Sequence, residues 1–406
     1  MVSVSVIGLG KLGLPLAAVL ADSGFHTFGI DLDFDHVASL QRGQFKSAEP
    51  GLEQLLISGK ENLNFSSSFE EAAECDVFFL IVPTPSDTTG KFSNQYILEA
   101  IDSVLSVWKV LSKPKTLVIV STVMPGSCVN VFVPKIRNWE RENGLTPGTI
   151  SLVYSPEFIA LGTVIENLRN PDMVLVGSEN PEDARIFLQV MSRVAPNVRE
   201  TDVLTLGEAE LVKLLVNCFV TMKISFANFI GELSEGSPMI DKFRVAKALG
   251  LDSRIGNKYL RPGLGFAGPC FPRDNKALIS FSNELGVSPS LAIATEDINS
   301  RQPRNVLNRI FKSYPNAKKI GIIGIAYKRD TLVLDESQSL KIADLILLEG
   351  GEIWLFDPLI RDFGTDRFNV AQEIEDLEVC DLVIFPSEFG YLLEGKRKSF
   401  PNILEI

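Results

Sequence analysis

The chain has 406 residues, with 39 basic side chains against 51 acidic ones and a formal net charge of −12. A composition of 45% hydrophobic and 22% charged residues excludes disorder as the main state, and at roughly 100–200 residues per domain it suggests about two to four folded domains. The acidic balance argues against nucleic acid as a partner, since phosphate recognition needs a basic footprint. No apolar run reaches the roughly 18 residues of a membrane span, and the strand-like start Met1–Val6 has no basic region, so neither a membrane partner nor a signal peptide is expected.

From the N-terminus, Val2–Ile7, Thr27–Ile30, Val77–Val82, Leu117–Val120 and Ile150–Tyr154 read as strands buried on both faces, several separated by amphipathic stretches. This is the rhythm of a doubly wound parallel α/β sheet. A strand at Met173–Val176 and a helix near Ala184–Val194 are expected to complete it. From Glu208 to about Glu235 no proline occurs, and Leu211, Leu214, Leu215, Cys218, Phe219, Met222, Phe226, Phe229, Ile230 and Leu233 recur with helical spacing. A helix apolar over so much of its circumference is expected to be buried between domains or subunits. Helices follow at Phe243–Leu249 and Asn275–Glu284, separated by the Gly/Pro-rich segment Arg261–Asp274. Near residue 303 the α/β rhythm returns, with strands at Lys319–Ile325, Glu352–Phe356 and Asp381–Phe385 and helices at Leu340–Leu348 and Ala371–Leu377. The fold class is α/β: two Rossmann-like doubly wound domains joined by a long central helix, with boundaries at 1–204, 205–302 and 303–406.

Gly8-Leu9-Gly10-Lys11-Leu12-Gly13 follows the first strand and opens a helix. The three glycines serve a tight turn, close approach to a pyrophosphate, and helix–strand packing, with the phosphate at the helix N-terminus. Asp31 ends the second strand at the spacing of a carboxylate that accepts from a ribose 2′-OH; Asp33 can share that role, and spacing does not choose between them. An acid there repels a 2′-phosphate, so NAD is expected over NADP. Gly321-Ile-Ile-Gly324-Ile-Ala326 is a degraded copy, read as a structural turn, with a nucleotide-type ligand approached by Lys328 as the alternative.

Five cysteines without a CxxC pair give neither a disulfide framework nor a zinc ribbon and fit a reducing cytoplasm. With two histidines only, His26 and His36, no metal centre is expected, and catalysis falls to Cys, Lys, Asp, Glu or Thr. Cys270 lies in the Gly/Pro loop with Arg273 and Asp274 close behind. Lys213 and Asn217 are i, i+4 on the long helix and share a face. A lysine on a mostly buried helix is paired or functional, because an unpaired buried charge is costly. A lysine, an amide and a thiol together can hold an oxyanion and a covalent thio-adduct.

These residues resemble the UDP-glucose/GDP-mannose dehydrogenase family over nearly the whole chain. The Gly8–Gly13 fingerprint, Val82-Pro83-Thr84-Pro85, Ser121-Thr122-Val123 and Ser155-Pro156-Glu157-Phe158 are similar to its N-terminal motifs, in order. Ala209-Glu-Leu-Val-Lys213 with Asn217 resembles its central-helix motif, and Phe266-Ala-Gly268-Pro-Cys270-Phe-Pro-Arg-Asp274 its cysteine signature. Gly324-Ile-Ala-Tyr-Lys328 and Phe356-Asp-Pro358 resemble its C-terminal motifs. The resemblance implies NAD-dependent oxidation of a nucleotide-sugar C6 alcohol to a carboxylate, consuming two NAD and one water. It also implies a homodimer or higher homo-oligomer with residues 205–302 as the dimerisation domain.

Carried over by position, Cys270 is the nucleophile, Lys213 and Asn217 stabilise oxyanions, Asp274 and Thr122 hold the water, and Glu157 is the acid/base of hydrolysis. Gly8, Gly10, Lys11, Leu12, Gly13, Asp31, Pro83, Thr84 and Thr122 fall at cofactor positions. Glu157, Phe158, Lys213, Asn217, Arg254, Tyr259, Arg261, Phe266, Gly268 and Lys328 fall at substrate positions, Arg254 reaching into the neighbouring subunit's site. Phe-Pro-Arg after the cysteine is closer to the glucose and mannose enzymes than to the N-acetylhexosamine branch.

The chain departs from the family pattern at Leu161 (often glutamate), Val120 (often lysine) and Asp335 (often arginine), and it ends at Ile406, about where the family continues into a basic motif. Two other readings stay open: a two-electron hydroxyacid-type dehydrogenase, and a non-catalytic nucleotide-sugar-binding Rossmann protein. Neither needs a cysteine.

Overall fold

In the computed structural model, residues 2–47, 49–108, 111, 113–159, 161–198, 202–362 and 367–406 are described. The chain divides into two compact units, Met1–Leu215 and Val216–Ile406.

The first unit holds strands β1 (Ser3–Ile7), β2 (His26–Ile30), β3 (Leu63–Ser66), β4 (Val77–Leu80), β5 (Lys115–Ile119), β6 (Ile150–Tyr154) and β7 (Gly177–Ser178). They form one sheet in the order β3-β2-β1-β4-β5-β6-β7, parallel except for the antiparallel β6–β7 pair. Its helices are α1 (Gly13–Asp22), α2 (Phe34–Gln41), α3 (Leu52–Ser58), α4 (Gln95–Val107), α5 (Val133–Glu142), α6 (Val164–Arg169) and α7 (Arg185–Val194).

Alternate strand residues feed two cores. Val4, Val6, Val77, Phe79, Val118 and Val153 face one side, with α1 and α7. Ile7, Phe78, Leu80, Leu117, Ile119 and Leu152 face the other, with α4. Burial on both faces is why these strands read as continuous apolar runs. Each such side chain contributes roughly 1.5–3 kcal/mol over an exposed one.

The expected strand at Met173–Val176 is not one: those residues carry no strand pairing, and the short β7 comes directly after them. Leu204 pairs with Gly177 on the opposite side from β6, which places the ladder one step further along the chain.

Helix α8 (Leu206–Glu235) begins in the first unit and ends in the second. The second unit continues with α9 (Lys242–Gly250), α10 (Phe271–Glu284) and α11 (Ser290–Ser313), then β8 (Lys319–Ile323), α12 (Gln338–Leu348), β9 (Glu352–Phe356), β10 (Asn369–Val370), β11 (Leu382–Phe385) and β12 (Ile403–Glu405). The last five strands form a parallel sheet in the order β10-β9-β8-β11-β12, with separate cores on its two faces. Helix α11 runs through Pro303, which is buried and packed rather than terminal. The segment expected as a helix at Ala371–Leu377 is instead a 3₁₀ helix at Ile374–Val379.

By length and composition α8 could cross a membrane, yet it carries charged side chains along its length, and its buried face mixes Leu214, Ala227 and Ile230 with polar groups hydrogen-bonded to the protein. Thr221 Oγ1 pairs with Asn275, Ser225 Oγ donates to Thr295 O, and Asn228 both donates to Leu264 O and accepts from Gly263 N. Its outward stripe is apolar: Leu215, Phe219, Phe226, Phe229 and Leu233 are all exposed.

Candidate active site

In the first unit every sequence-derived candidate lies at or beyond the C-terminal end of a parallel strand, except Lys213 on α8. This is the edge where open α/β sheets bind ligands. Gly8 follows β1 with φ +95°, a conformation that favours glycine. A Cβ on Gly13 would lie 1.8 Å from Gly8 O, so that contact tolerates only hydrogen. A Cβ on Gly10 would meet nothing within 4 Å, so open space lies before the backbone there. Helix α1 starts without a side-chain cap and without an acid in its first turn. The loop thus offers uncapped N–H groups and room, which fits a dinucleotide pyrophosphate.

Asp31 Oδ2 accepts from Leu9 N at 2.7 Å and its Oδ1 from Asp33 N. Asp33 is engaged otherwise, capping α2 by accepting from His36 N. Asp31 is therefore the acid bound to the glycine loop itself. After β4 and β5 two loops are tied together. Ser121 Oγ donates to Val82 O and accepts from Val82 N, and Thr84 Oγ1 donates to Thr122 O at 2.8 Å.

After β6, Glu157 and Phe158 meet Lys213. The Lys213 ammonium donates to Glu157 O at 2.6 Å and sits 4.3 Å from the centre of the Phe158 ring. Lys213 is only 7% exposed, so this cation is held in a dry setting. Burial pushes the Glu157 carboxyl up to about 7, against the opposing pull of Lys213. A carboxyl near neutrality can both donate and accept a proton. Of the departures from the family pattern, Val120 is buried in the core and Leu161 packs on it.

In the second unit Cys270 is exposed at the N-cap position of α10, whose first turn has no side-chain cap. The positive end of a helix stabilises negative charge developing on sulfur. One turn on, Asp274 is fully buried; its Oδ2 accepts from Asn217 Nδ2 at 2.6 Å and its Oδ1 from Arg273 Nε at 3.2 Å. Lys213 and Asn217 stand one turn apart on α8.

The loop leading to Cys270 is clamped at several points. Phe266 O accepts from both Asn299 Nδ2 and Gln338 Nε2. Gly268, at φ +84°, donates its N–H to Asp335 O, and a Cβ there would strike the Tyr327 ring at 2.6 Å. Burial pushes the Tyr327 phenol up, and its neighbours Cys270 and Asp335 add to that shift.

A cavity of about 210 Å³ opens beside this loop, lined by Tyr259, Arg261, Gly263–Gly265, Ala267, Tyr327, Gln338, Ser387, Glu388 and Glu405 among others. Tyr259 holds φ +61°, a strained value for a non-glycine residue. Arg261 pairs with Glu405 and lies over the Phe243 ring. Of the remaining substrate candidates, Phe266 and Gly268 shape the loop, and Lys328 adjoins the lining Tyr327. Arg254 lies apart on the exposed turn after α9, paired with Asp252 at 2.6 Å.

The degraded fingerprint after β8 keeps the geometry of the first loop: Gly324 has φ +79° and donates to Phe356 O, as Gly8 does to Ile30 O. The buried Asp357 accepts from Ile325 N and Ala326 N, much as Asp31 accepts from Leu9 N in the first loop. No helix follows the turn directly, since α12 begins only at Gln338. Among the described residues no cluster of three or more His, Cys, Asp or Glu side chains could hold a metal.

Residues 2–195 match the NAD-binding domain of the UDP-glucose/GDP-mannose dehydrogenase family, and residues 207–301 match its central domain. A UDP-glucose 6-dehydrogenase of Haloferax volcanii is 31% identical over 372 residues, covering 90% of this chain and 85% of the relative. A GDP-mannose 6-dehydrogenase of Pseudomonas aeruginosa is 28% identical over 403 residues, covering 93% and 88%. The solved UDP-glucose dehydrogenase of Pyrobaculum islandicum superposes with a TM-score of 0.84 at 31% identity, covering 95% of this chain and 89% of that one. With a dinucleotide loop on the first sheet and a cysteine at the head of α10, the chain belongs to the UDP-glucose/GDP-mannose dehydrogenase family and is an NAD-dependent nucleotide-sugar dehydrogenase.

Proposed function

We propose that the protein oxidises the C6 alcohol of a UDP-hexose, UDP-glucose first among them, to the uronic acid through a thioester on Cys270. The observation that carries this reading is the exposed thiol at the N-terminus of α10, with the buried Asp274–Asn217 pair one turn behind it. The Gly8–Gly13 loop with Lys11 and Leu12, Asp31, and the Pro83, Thr84 and Thr122 loops would hold NAD, which would supply the hydride acceptor for each of two oxidations.

The C6 aldehyde left by the first oxidation is attacked by the Cys270 sulfur, forming a C–S bond and a thiohemiacetal oxyanion. Lys213 and Asn217 donate to that oxygen. Loss of the second hydride gives the thioester. Water placed by Thr122 and Asp274 then adds to the acyl carbon, Glu157 takes its proton, and the C–S bond breaks to return the thiol and release the carboxylate. Tyr259, Arg261, Phe266, Gly268 and Lys328 hold the nucleotide sugar, together with Phe158. The five thiols suit a reducing compartment, and we assign the enzyme to the cytoplasm. The testing experiment incubates UDP-glucose, GDP-mannose and UDP-N-acetylhexosamines with NAD and counts NADH per sugar consumed. Two per UDP-glucose supports the reading; one per sugar, or turnover of a different sugar alone, contradicts it.

Three further outcomes are expected. NAD should be preferred over NADP by at least about tenfold, since forcing a 2′-phosphate beside Asp31 costs more than about 1.4 kcal/mol. Comparing kcat/KM for the two cofactors in the wild type and in Asp31→Ala checks this, the variant narrowing the gap while still turning over.

The pH profile of kcat should show an acid limb inflecting near 7. Glu157 acts as a base only once ionised, so the rate rises as pH climbs through the value of its carboxyl. Glu157→Gln should lower kcat and remove that limb.

The outward apolar stripe of α8 supports a homodimer, with Arg254 of each copy reaching toward the other's site. Exposed apolar surface of this extent is characteristic of an interface. Phe226→Asp should shift sedimentation from dimer to monomer at micromolar protein.

A further inference from the structure

Glu210 is fully buried on α8, three residues before Lys213 and therefore on the same side of the helix. Its carboxylate faces backbone N–H groups. One oxygen accepts from Gly126 N at 2.5 Å and the other from Cys128 N at 2.7 Å. These donors open the π-helical turn Cys128–Phe132 that runs into α5, so a negative charge lies at the positive end of that helix. Gly126 reaches this position at φ +93°, a turn that aims its N–H at the carboxylate.

The loop between β5 and this helix carries Ser121, Thr122 and Val123. At its start it is tied to the β4 loop through Ser121 and Thr84. At its end the Glu210 staple ties it to α8. The same helix holds the Glu157 loop through Lys213. One helix thus sets the positions of two strand-end loops, each through a buried charged group.

We infer that Glu210 is a positioning residue, fixing the Thr122 loop so that Thr122 is correctly placed for the water-dependent step. This rests on the role proposed above for Thr122. Glu210→Gln keeps size and shape but leaves only one acceptor atom for two converging N–H groups, and its own NH₂ confronts one of them. The loop must then relax at the Gly126 end.

The test is a double-mutant cycle on Glu210→Gln and Thr122→Ala, with kcat, both KM values and the acyl-enzyme fraction at steady state measured for each. Expected for Glu210→Gln are a kcat at least about tenfold lower, KM values for NAD and nucleotide sugar within about threefold of wild type, and a raised acyl-enzyme fraction. The double variant should be no slower than Thr122→Ala, because the staple acts through that residue. A purely structural role would lower thermal stability without this KM-against-kcat split, or the two losses would multiply; either result overturns the inference. If Glu210→Gln does not fold, Glu210→Asp, which keeps the charge but withdraws it by one methylene, carries the same cycle and the same criteria. Full activity in Thr122→Ala would instead contradict the reading of Thr122, whereas a crippled Thr122→Ala beside an unaffected Glu210→Gln contradicts the positioning role alone.

Discussion

Replacing Cys270 by serine should lower net production of the acid by more than about 10³-fold, the order of loss when a covalent nucleophile is removed. A serine hydroxyl at the head of α10 can still add to the aldehyde. The resulting oxygen ester is a poorer acyl intermediate than a thioester, because oxygen donates into the carbonyl more strongly and leaves less readily. The variant should therefore stall as a slow adduct, while NAD binding, which depends on the β1–β6 loops, stays near normal. The fold should be intact, since Cys270 is exposed and no core is disturbed. Stopped-flow NADH traces and an NAD titration on the same preparation check both halves of this expectation. NADH formation at the wild-type rate would leave a two-electron dehydrogenase as the better description.

Lys213→Ala should slow turnover by about 10²–10³, the loss typical of one preorganised donor to an oxyanion, or roughly 2.7–4 kcal/mol. Two physical effects combine. The variant removes a cation held at low exposure against the Phe158 ring, where its field is weakly screened. It also strips Glu157 O of its hydrogen-bond donor and the Glu157 carboxyl of the opposing pull of Lys213, so burial raises that carboxyl further. The acid limb of the pH profile should consequently move to higher pH, the sign expected when a stabilising positive charge is withdrawn from a carboxylate. Lys213→Arg keeps the charge but not the compact ammonium, and should restore the limb while recovering only part of the rate. A Lys213→Ala enzyme with an unshifted limb and a near-normal rate would separate Lys213 from the chemistry.

The first sheet was legible because its strands are buried on both faces and bounded by glycine-rich or polar turns; β1, β2, β4, β5 and β6 fall within two residues of the apolar runs that announce them. The elements read poorly are those where tertiary packing outweighs local signal. A proline in a helix interior ordinarily breaks it, yet α11 runs through the buried Pro303 without ending there. Residues Met173–Val176 have strand composition, but the pairing partner lies one step on, at Gly177–Ser178.

In the site, motifs with fixed spacing were readable: the glycine loop with Asp31, Lys213 with Asn217, and Cys270 with Asp274. Asp33 was a rival to Asp31 on spacing alone, and its engagement as the cap of α2 separates the two. The supporting residues were not readable. Asn299, Gln338 and Glu210 act on backbone carbonyl or N–H groups far away in sequence, a relation that no local pattern announces. Asp357 was equally silent, though it ties the second glycine-rich turn to the end of β9.

In the proposed reaction, oxidation to the acid level passes through a covalent acyl group on one sulfur. Wild-type enzyme is mixed with NAD and UDP-glucose, quenched in acid during steady turnover, digested, and analysed by mass spectrometry. The expected result is a peptide carrying a nucleotide-sugar acyl adduct on Cys270, more abundant in Asp274→Asn, where the water-dependent step is slowed. Sustained two-NADH turnover by Cys270→Ala at the wild-type rate, with no adduct on any cysteine of the wild type, would contradict it.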